Sequence, residues 1–157
     1  MVKTRGQQHP GAMTSVASES RLSPRSLPFV LVIALAAFLL LLAAMGFLAP
    51  LAAAHGFGVD LAAPADAFYL HVKADRDLAL AAVLIALIAY ARPAPLALFV
   101  GATCVAPVID GLLVALDPRG HVGYALAVHG SAVVYGVVTV ILLWRAHRTG
   151  RSAARGA

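Results

Sequence analysis

The hydrophobic pattern of the chain consists of long apolar runs separated by polar connections. The first run, residues 28–49, carries no charge and meets the requirement of about 20 residues for a transmembrane helix. Three further runs end near Tyr90, Leu116 and Trp144. None alternates apolar and polar positions as the strands of a membrane barrel do. We therefore predict an all-α polytopic membrane protein, an antiparallel bundle of four transmembrane helices at about 28–49, 70–91, 95–116 and 121–145.

The second run differs from the others because it begins directly after a cluster of charged residues. The 14 uncharged residues from Leu78 to Ala91 give roughly 21 Å of helix, less than the hydrocarbon core of about 30 Å. A helix that spans the membrane here must therefore take Arg76 and Asp77 into it.

Composition supports a membrane location and excludes several function classes. Hydrophobic residues make up 61% of the 157 residues and charged residues only 12%, unlike soluble domains. The net charge of +5 is explained by orientation in a membrane, so we expect the lipid bilayer as the partner and no nucleic acid. The single cysteine, Cys104, offers no disulfide and no metal-type spacing, and we expect no metal and no cofactor.

The distribution of Lys and Arg predicts the orientation. Nine of the 12 basic residues lie in residues 1–27, in the turn at Arg92 and after Trp144. By the positive-inside rule both termini are cytoplasmic, and we predict a multi-pass protein of the bacterial plasma membrane. Residues 1–27 are expected to form a disordered basic tail, residues 28–147 the transmembrane domain, and residues 148–157 a second basic tail.

Three polar residues on three predicted helices share one depth in the membrane. Counted from the inner helix ends, Asp77, Asp110 and His129 lie 14 or 15 residues deep, about 21 to 22 Å above the cytoplasmic edge. Arg76 lies within side-chain reach of this layer. Since an isolated charge in the membrane is unfavourable, we expect Arg76 to pair with Asp110 or Asp77.

The layer also supplies candidate functional residues. Carboxylate and imidazole groups perform acid–base chemistry, so Asp110 is the candidate general base, His129 the candidate acid or proton shuttle, and Asp77 a further catalytic candidate. Arg76 is a candidate for binding an anionic or carbonyl oxygen. Pro107 bends the third helix and frees the carbonyl of Thr103, which makes Thr103 a second candidate for ligand binding.

Four short motifs occur in a characteristic order: GFG at 56–58, VKADRDLALA at 72–81, APVIDGLLV at 106–114 and AVHGSAVV at 127–134. In this order the chain resembles, over about residues 45–144, the small four-helix membrane proteins grouped as the domain of unknown function 4267 family. Ala74 and Ala81 stand where glycines are expected. The resemblance implies the fold and a pocket, but no activity.

Three hypotheses for the layer remain open. The layer can be a structural lock whose ion pairs fix the register of the helices. It can be the floor of a cavity in a membrane-embedded enzyme or binder of a small lipophilic ligand, working by acid–base chemistry. It can also belong to a proton-linked transporter, because intramembrane Asp and His residues are typical relay groups.

Overall fold

The computed structural model describes residues 21–61 and 64–155, and it is helical within these ranges apart from turns and short connections. The predicted N-terminal tail lies outside the described residues up to position 20, as do residues 156 and 157. The elements are α1 (Leu27–Leu48), α2 (Pro50–Phe57), a 3-10 turn (Pro64–Ala67), α3 (Phe68–Tyr90), α4 (Pro93–Thr103), α5 (Val105–Leu116) and α6 (Val122–Arg155).

Prolines and left-handed residues mark several helix boundaries. Pro28, Pro50 and Pro93 lie in the first two positions of their helices, where a missing N–H costs no hydrogen bond. Gly58 ends α2 with a φ of 100°, a conformation that suits glycine, and Ala91 ends α3 with a φ of 49°. The chain therefore reverses tightly between α3 and α4.

Helices α1 and α3 pack along a seam of mainly small residues. Buried positions recur every three or four residues on α3, and on α1 at spacings of three, four and seven, as in helix pairs that cross at a shallow angle. They are Val32, Ala36, Ala43 and Gly46 on α1, and Leu70, Ala74, Asp77, Ala81 and Leu84 on α3. Small residues in the seam allow the backbones to approach closely. Asp77 is the charged residue among these nine.

The second unit of the structure consists of α4 and α5, which both pack on α6. A buried apolar cluster connects this unit to α1 and α3, and it includes Val32, Leu84, Val100 and Leu143. Large apolar side chains such as Leu41 and Leu126 point away from the bundle and are exposed. An apolar exterior of this extent suits lipid rather than water.

The third predicted helix, 95–116, is not continuous in the structure. It is divided at Cys104 into α4 and α5. The reason is Pro107, which cannot donate a hydrogen bond to the carbonyl of Thr103 and whose ring crowds that carbonyl. The sequence predicts a bend in this helix, and the structure shows an interruption about one turn before Pro107.

The last helix is longer than predicted. The expected end was near residue 145, with a tail from 148, but α6 continues to Arg155. Its 34 residues correspond to about 51 Å, well beyond the hydrocarbon thickness. The residues after Trp144 are mostly Arg, Ala and Ser, which include strong helix formers and no proline, so the helix has no local reason to stop.

In the part of the chain that the structure describes, three helical segments are long and apolar enough to cross a membrane: Leu27–Leu48, Pro93–Leu116 and Val122–Ala153. Helix α3 has a similar length of 23 residues, but each of its 18-residue stretches contains Lys73, Asp75, Arg76 and Asp77. The all-helical class and a multi-pass membrane protein are therefore supported, and within the described residues three of the four predicted spans have the length and hydropathy to cross a membrane.

We expect Gly46→Ala to destabilise the α1–α3 seam. A Cβ at this position would lie 2.6 Å from Cβ of Ala74, so a backbone must shift. Overpacking of this kind costs about 1 to 3 kcal/mol. Thermal unfolding in detergent measures the effect. Gly130→Ala on α6 is the control, because a Cβ there meets nothing within 4 Å. Equal unfolding temperatures for the two variants would contradict the close packing of the seam.

Candidate functional site

An ion cluster connects α3 to α5. Asp77 accepts a hydrogen bond from Lys73 Nζ at 2.5 Å and lies 3.6 Å from Arg76 Nη2. The same Arg76 nitrogen donates to Asp110 Oδ2 at 3.3 Å. The expected pairing of Arg76 is confirmed, with both candidate carboxylates. The Asp77 side chain is 5% exposed and Asp110 15%, whereas Arg76 is 43% exposed.

The local sequence explains this geometry. Lys73 lies one helical turn before Asp77, where an i, i+4 pair can form on one helix face. Arg76 is the neighbour of Asp77 and therefore points away from the α1–α3 seam, toward α5. Asp110 follows Pro107 in the first half of α5. The cluster thus combines one pair within a helix and one pair between helices.

His129 lies outside this ion cluster and binds the backbone. Its Nε2 is 3.0 Å from the carbonyl oxygen of Phe57, at the end of α2. A carbonyl oxygen only accepts hydrogen bonds, so Nε2 carries the proton in this contact. The Phe57 and His129 rings meet edge to face with centroids 4.9 Å apart. A Cβ at Gly111 would lie 3.0 Å from Cβ of His129, which shows how closely α5 approaches α6 here.

Residues 50–61, which we call the capping segment, are tied to the turn between α5 and α6. Val59 forms an antiparallel bridge with Gly120. Asp60 lies 3.1 Å from both His55 Nδ1 and His121 Nε2. Hydrogen bonds from His55 and then His121 hold the pKa of the Asp60 carboxyl below its ordinary value. The stabilisation that these hydrogen bonds give to the folded protein is therefore present above the ordinary pKa of a carboxyl group. It is lost as the pH falls through the lowered pKa of Asp60.

A cavity of about 340 Å³ lies between the helices and the capping segment. Most of its wall is apolar and includes Leu39, Met45, Leu80, Val100 and Val128. Its polar lining includes Lys73, Arg76, Asp77, Thr103, Asp110, Tyr124, His129 and Tyr135. All five candidate site residues therefore line one cavity, but only Arg76, Asp77 and Asp110 are bonded to one another.

Two further polar side chains of the wall donate their hydroxyl groups to backbone carbonyls. Thr103 donates its hydroxyl to the carbonyl of Val100 at 2.9 Å. Tyr135 donates to the carbonyl of Leu31 at 2.5 Å, which connects α6 to α1. Within the described ranges, no group of three or more His, Cys, Asp or Glu side chains is arranged to hold a metal ion.

Two residues of the site were not among the candidates from the sequence. Lys73 is one of them, and its i, i+4 spacing from Asp77 is the sequence signal that indicates this pair. Phe57 supplies the carbonyl that binds His129, and its ring lies 5.6 Å from Lys73 Nζ. A backbone acceptor 72 residues away leaves no mark in a sequence pattern.

Comparison with known families adds a match over the part of the chain that contains the site. The profile described as domain of unknown function (DUF4267) matches residues 36–143. The chain belongs to this family. The matched range begins within α1 and ends within α6, so it contains the ion cluster, the capping segment and the cavity. No curated protein and no solved structure matches the chain.

The Arg76–Asp110 contact predicts a measurable coupling. Arg76→Ala leaves Asp110 without its partner, and Asp110→Asn leaves Arg76 with only its longer contact to Asp77, while the double variant removes both charges. Neighbouring residues of one network couple by about 0.5 to 3 kcal/mol, so the double variant should be more stable than the sum of the single effects predicts. Denaturation in detergent measures all four proteins.

The matched control is the pair formed by Arg119 and Asp117, which lies in a turn with its side chains 55% and 27% exposed. Exposed pairs contribute little, so its coupling should be much smaller. Additive effects of the Arg76 and Asp110 changes would contradict a direct interaction.

Proposed function

We propose that this DUF4267 protein is a four-span membrane protein that binds a small lipophilic molecule in the cavity beneath the capping segment. The observation that carries the proposal is the combination of a cavity of about 340 Å³ with an apolar wall and a few convergent polar groups. Ligand sites typically have volumes of about 300 to 1,000 Å³ and this kind of lining.

Helix α3 supplies the fourth span in this proposal. Its 23 residues correspond to about 34 Å, which is sufficient for the hydrocarbon core. It packs along α1, an apolar candidate span, over most of its length. Lys73 and Arg76 pair with the carboxylates of Asp77 and Asp110. This pairing lowers the free energy needed to place the two carboxylates in the membrane.

The orientation follows the distribution of basic residues. With both termini in the cytoplasm, the capping segment and the ion cluster lie toward the external side, and the long basic end of α6 lies inside. The cavity then opens toward the outer half of the bilayer. A bacterial plasma membrane is the location that this arrangement suits.

The topology is tested by placing reporters on both sides. A fluorescent-protein fusion after residue 157 should fluoresce, because that reporter folds in the cytoplasm. Arg119→Cys, made in a Cys104→Ala background, should react with a membrane-impermeant maleimide added to intact cells. An external C-terminus or a shielded residue 119 would contradict the four-span arrangement.

Binding accounts for the geometry better than the other hypotheses. A structural lock needs the ion pairs but does not need a cavity beside them. Acid–base catalysis needs available groups, whereas Asp110 pairs with Arg76 and His129 binds the carbonyl of Phe57. A proton relay needs groups that exchange charge, and compensated pairs such as Lys73 and Asp77 favour fixed charges.

Filling the cavity should abolish ligand binding. We expect 2-decanone, a lipophilic carbonyl compound, to raise the unfolding temperature of the wild type in nanodiscs. At about 100 times Kd the stabilisation is about 2.7 kcal/mol, a shift on the order of 5 °C or more. Ala132→Leu, on the cavity wall, should lose this shift.

The matched control is Ala127→Leu, on the exposed side of the same helix, which should keep the shift. Because the added side chain is the same, any general effect on α6 appears in both variants. Identical shifts in the wild type and Ala132→Leu would mean that the ketone acts through the bilayer, and this result would overturn the proposed function.

A further inference from the structure

We infer that the site selects an electrically neutral ligand, one with an apolar body and a hydrogen-bond acceptor such as a ketone, ester or amide, over a carboxylate or an ammonium of the same length. This inference rests on the proposed function and specifies its ligand class. It depends on how the charges are balanced around the cavity and around a second cavity next to it.

The second cavity, of about 440 Å³, adjoins the first. Phe57, Lys73, Arg76 and Asp110 line both cavities, so the Arg76–Asp110 pair lies where they meet. A ligand whose apolar body occupies the first cavity therefore places its polar end beside the guanidinium group.

Every cation along this route has a carboxylate partner. Lys73 pairs with Asp77, Arg76 with Asp110, and Arg119, in the second cavity, with Asp117 at 3.0 Å. The formal charges of these three pairs cancel. The cavities therefore combine strong local dipoles with no net charge from these groups.

A charged ligand either breaks one of these pairs or adds an uncompensated charge beside them. A carboxylate that binds Arg76 competes with Asp110, whose side chain is only 15% exposed, and would leave that residue without a partner. An ammonium group that binds Asp110 would likewise displace Arg76. Leaving the poorly exposed Asp110 carboxylate without its partner is unfavourable, and so is adding a net charge to a cavity with a mostly apolar wall.

A neutral acceptor needs no such exchange. Among the described residues, Arg76 donates a hydrogen bond to a carboxylate through Nη2, to Asp110 Oδ2. A guanidinium group has five N–H donors, so Nε and Nη1 can donate to a carbonyl oxygen while the ion pair persists. The binding of a neutral acceptor therefore adds hydrogen bonds without removing any.

Three ten-carbon compounds test the inference: 2-decanone, decanoate and decylammonium. Each is titrated at pH 8 into wild type and Ala132→Leu in nanodiscs, and the thermal shift of the filled variant is subtracted to remove effects of the bilayer. We expect a saturable shift with 2-decanone and at least tenfold weaker binding of both charged compounds.

Two near-isosteric charge variants extend the test. Asp110→Asn removes the nearer carboxylate of Arg76 and gives the three pairs one net positive charge, so it should improve decanoate binding at least tenfold. Arg76→Gln leaves Asp110 uncompensated and should improve decylammonium binding while weakening that of 2-decanone. The wild-type series keeps the inference testable if either variant fails to fold.

The possible failures are distinguishable. Decanoate or decylammonium binding the wild type as tightly as 2-decanone would overturn the inference and leave the proposed function intact. If none of the compounds shifts the wild type relative to Ala132→Leu, the proposed function fails, and the inference fails with it.

Discussion

The rest of the structure depends on the ion pairing of the Asp77 carboxylate with Lys73 and Arg76. This carboxylate lies in the seam between α1 and α3, where the neighbouring buried positions are apolar. In the proposed four-span arrangement an isolated charge in the membrane is unfavourable, and Lys73 offsets this cost from one turn away. Arg76 adds a second contact and carries the network across to Asp110 on α5. The α1–α3 pair is thereby attached to the unit formed by α4, α5 and α6.

The interruption of the third hydrophobic segment makes room for this network. A continuous helix would pack side chains along its whole length, whereas the break at Cys104 separates α4 from α5 beside the cavity. The capping segment closes the same region, because Phe57 offers its carbonyl to His129 and its ring to Lys73. The ion cluster and the histidine therefore stabilise opposite sides of one cavity.

The structural and binding roles of the polar layer are compatible. Paired charges hold α3 and α5 in register, and the unused donors of Arg76 remain available to a ligand. A charge-balanced lining in an apolar environment also offers no driving force for accumulating ions. These properties together favour a site for a neutral lipophilic molecule over a path for charge.

Local features of the sequence were sufficient for the fold class and for part of the site. Apolar runs of membrane length predict helices because length and hydropathy are local properties, and Pro107 predicts a disturbance one turn earlier for the same reason. Matched depths along the helices brought Arg76, Asp77 and Asp110 together, since regular helices convert residue counts into distances. The end of α6 could not be located this way, because no proline marks it and the helix continues through Gly150. Only the tertiary structure decided that His129 binds a backbone carbonyl 72 residues away instead of Asp110, and that a cavity separates the helices. Both depend on how the capping segment folds back over the bundle, and that packing is not encoded in any local pattern.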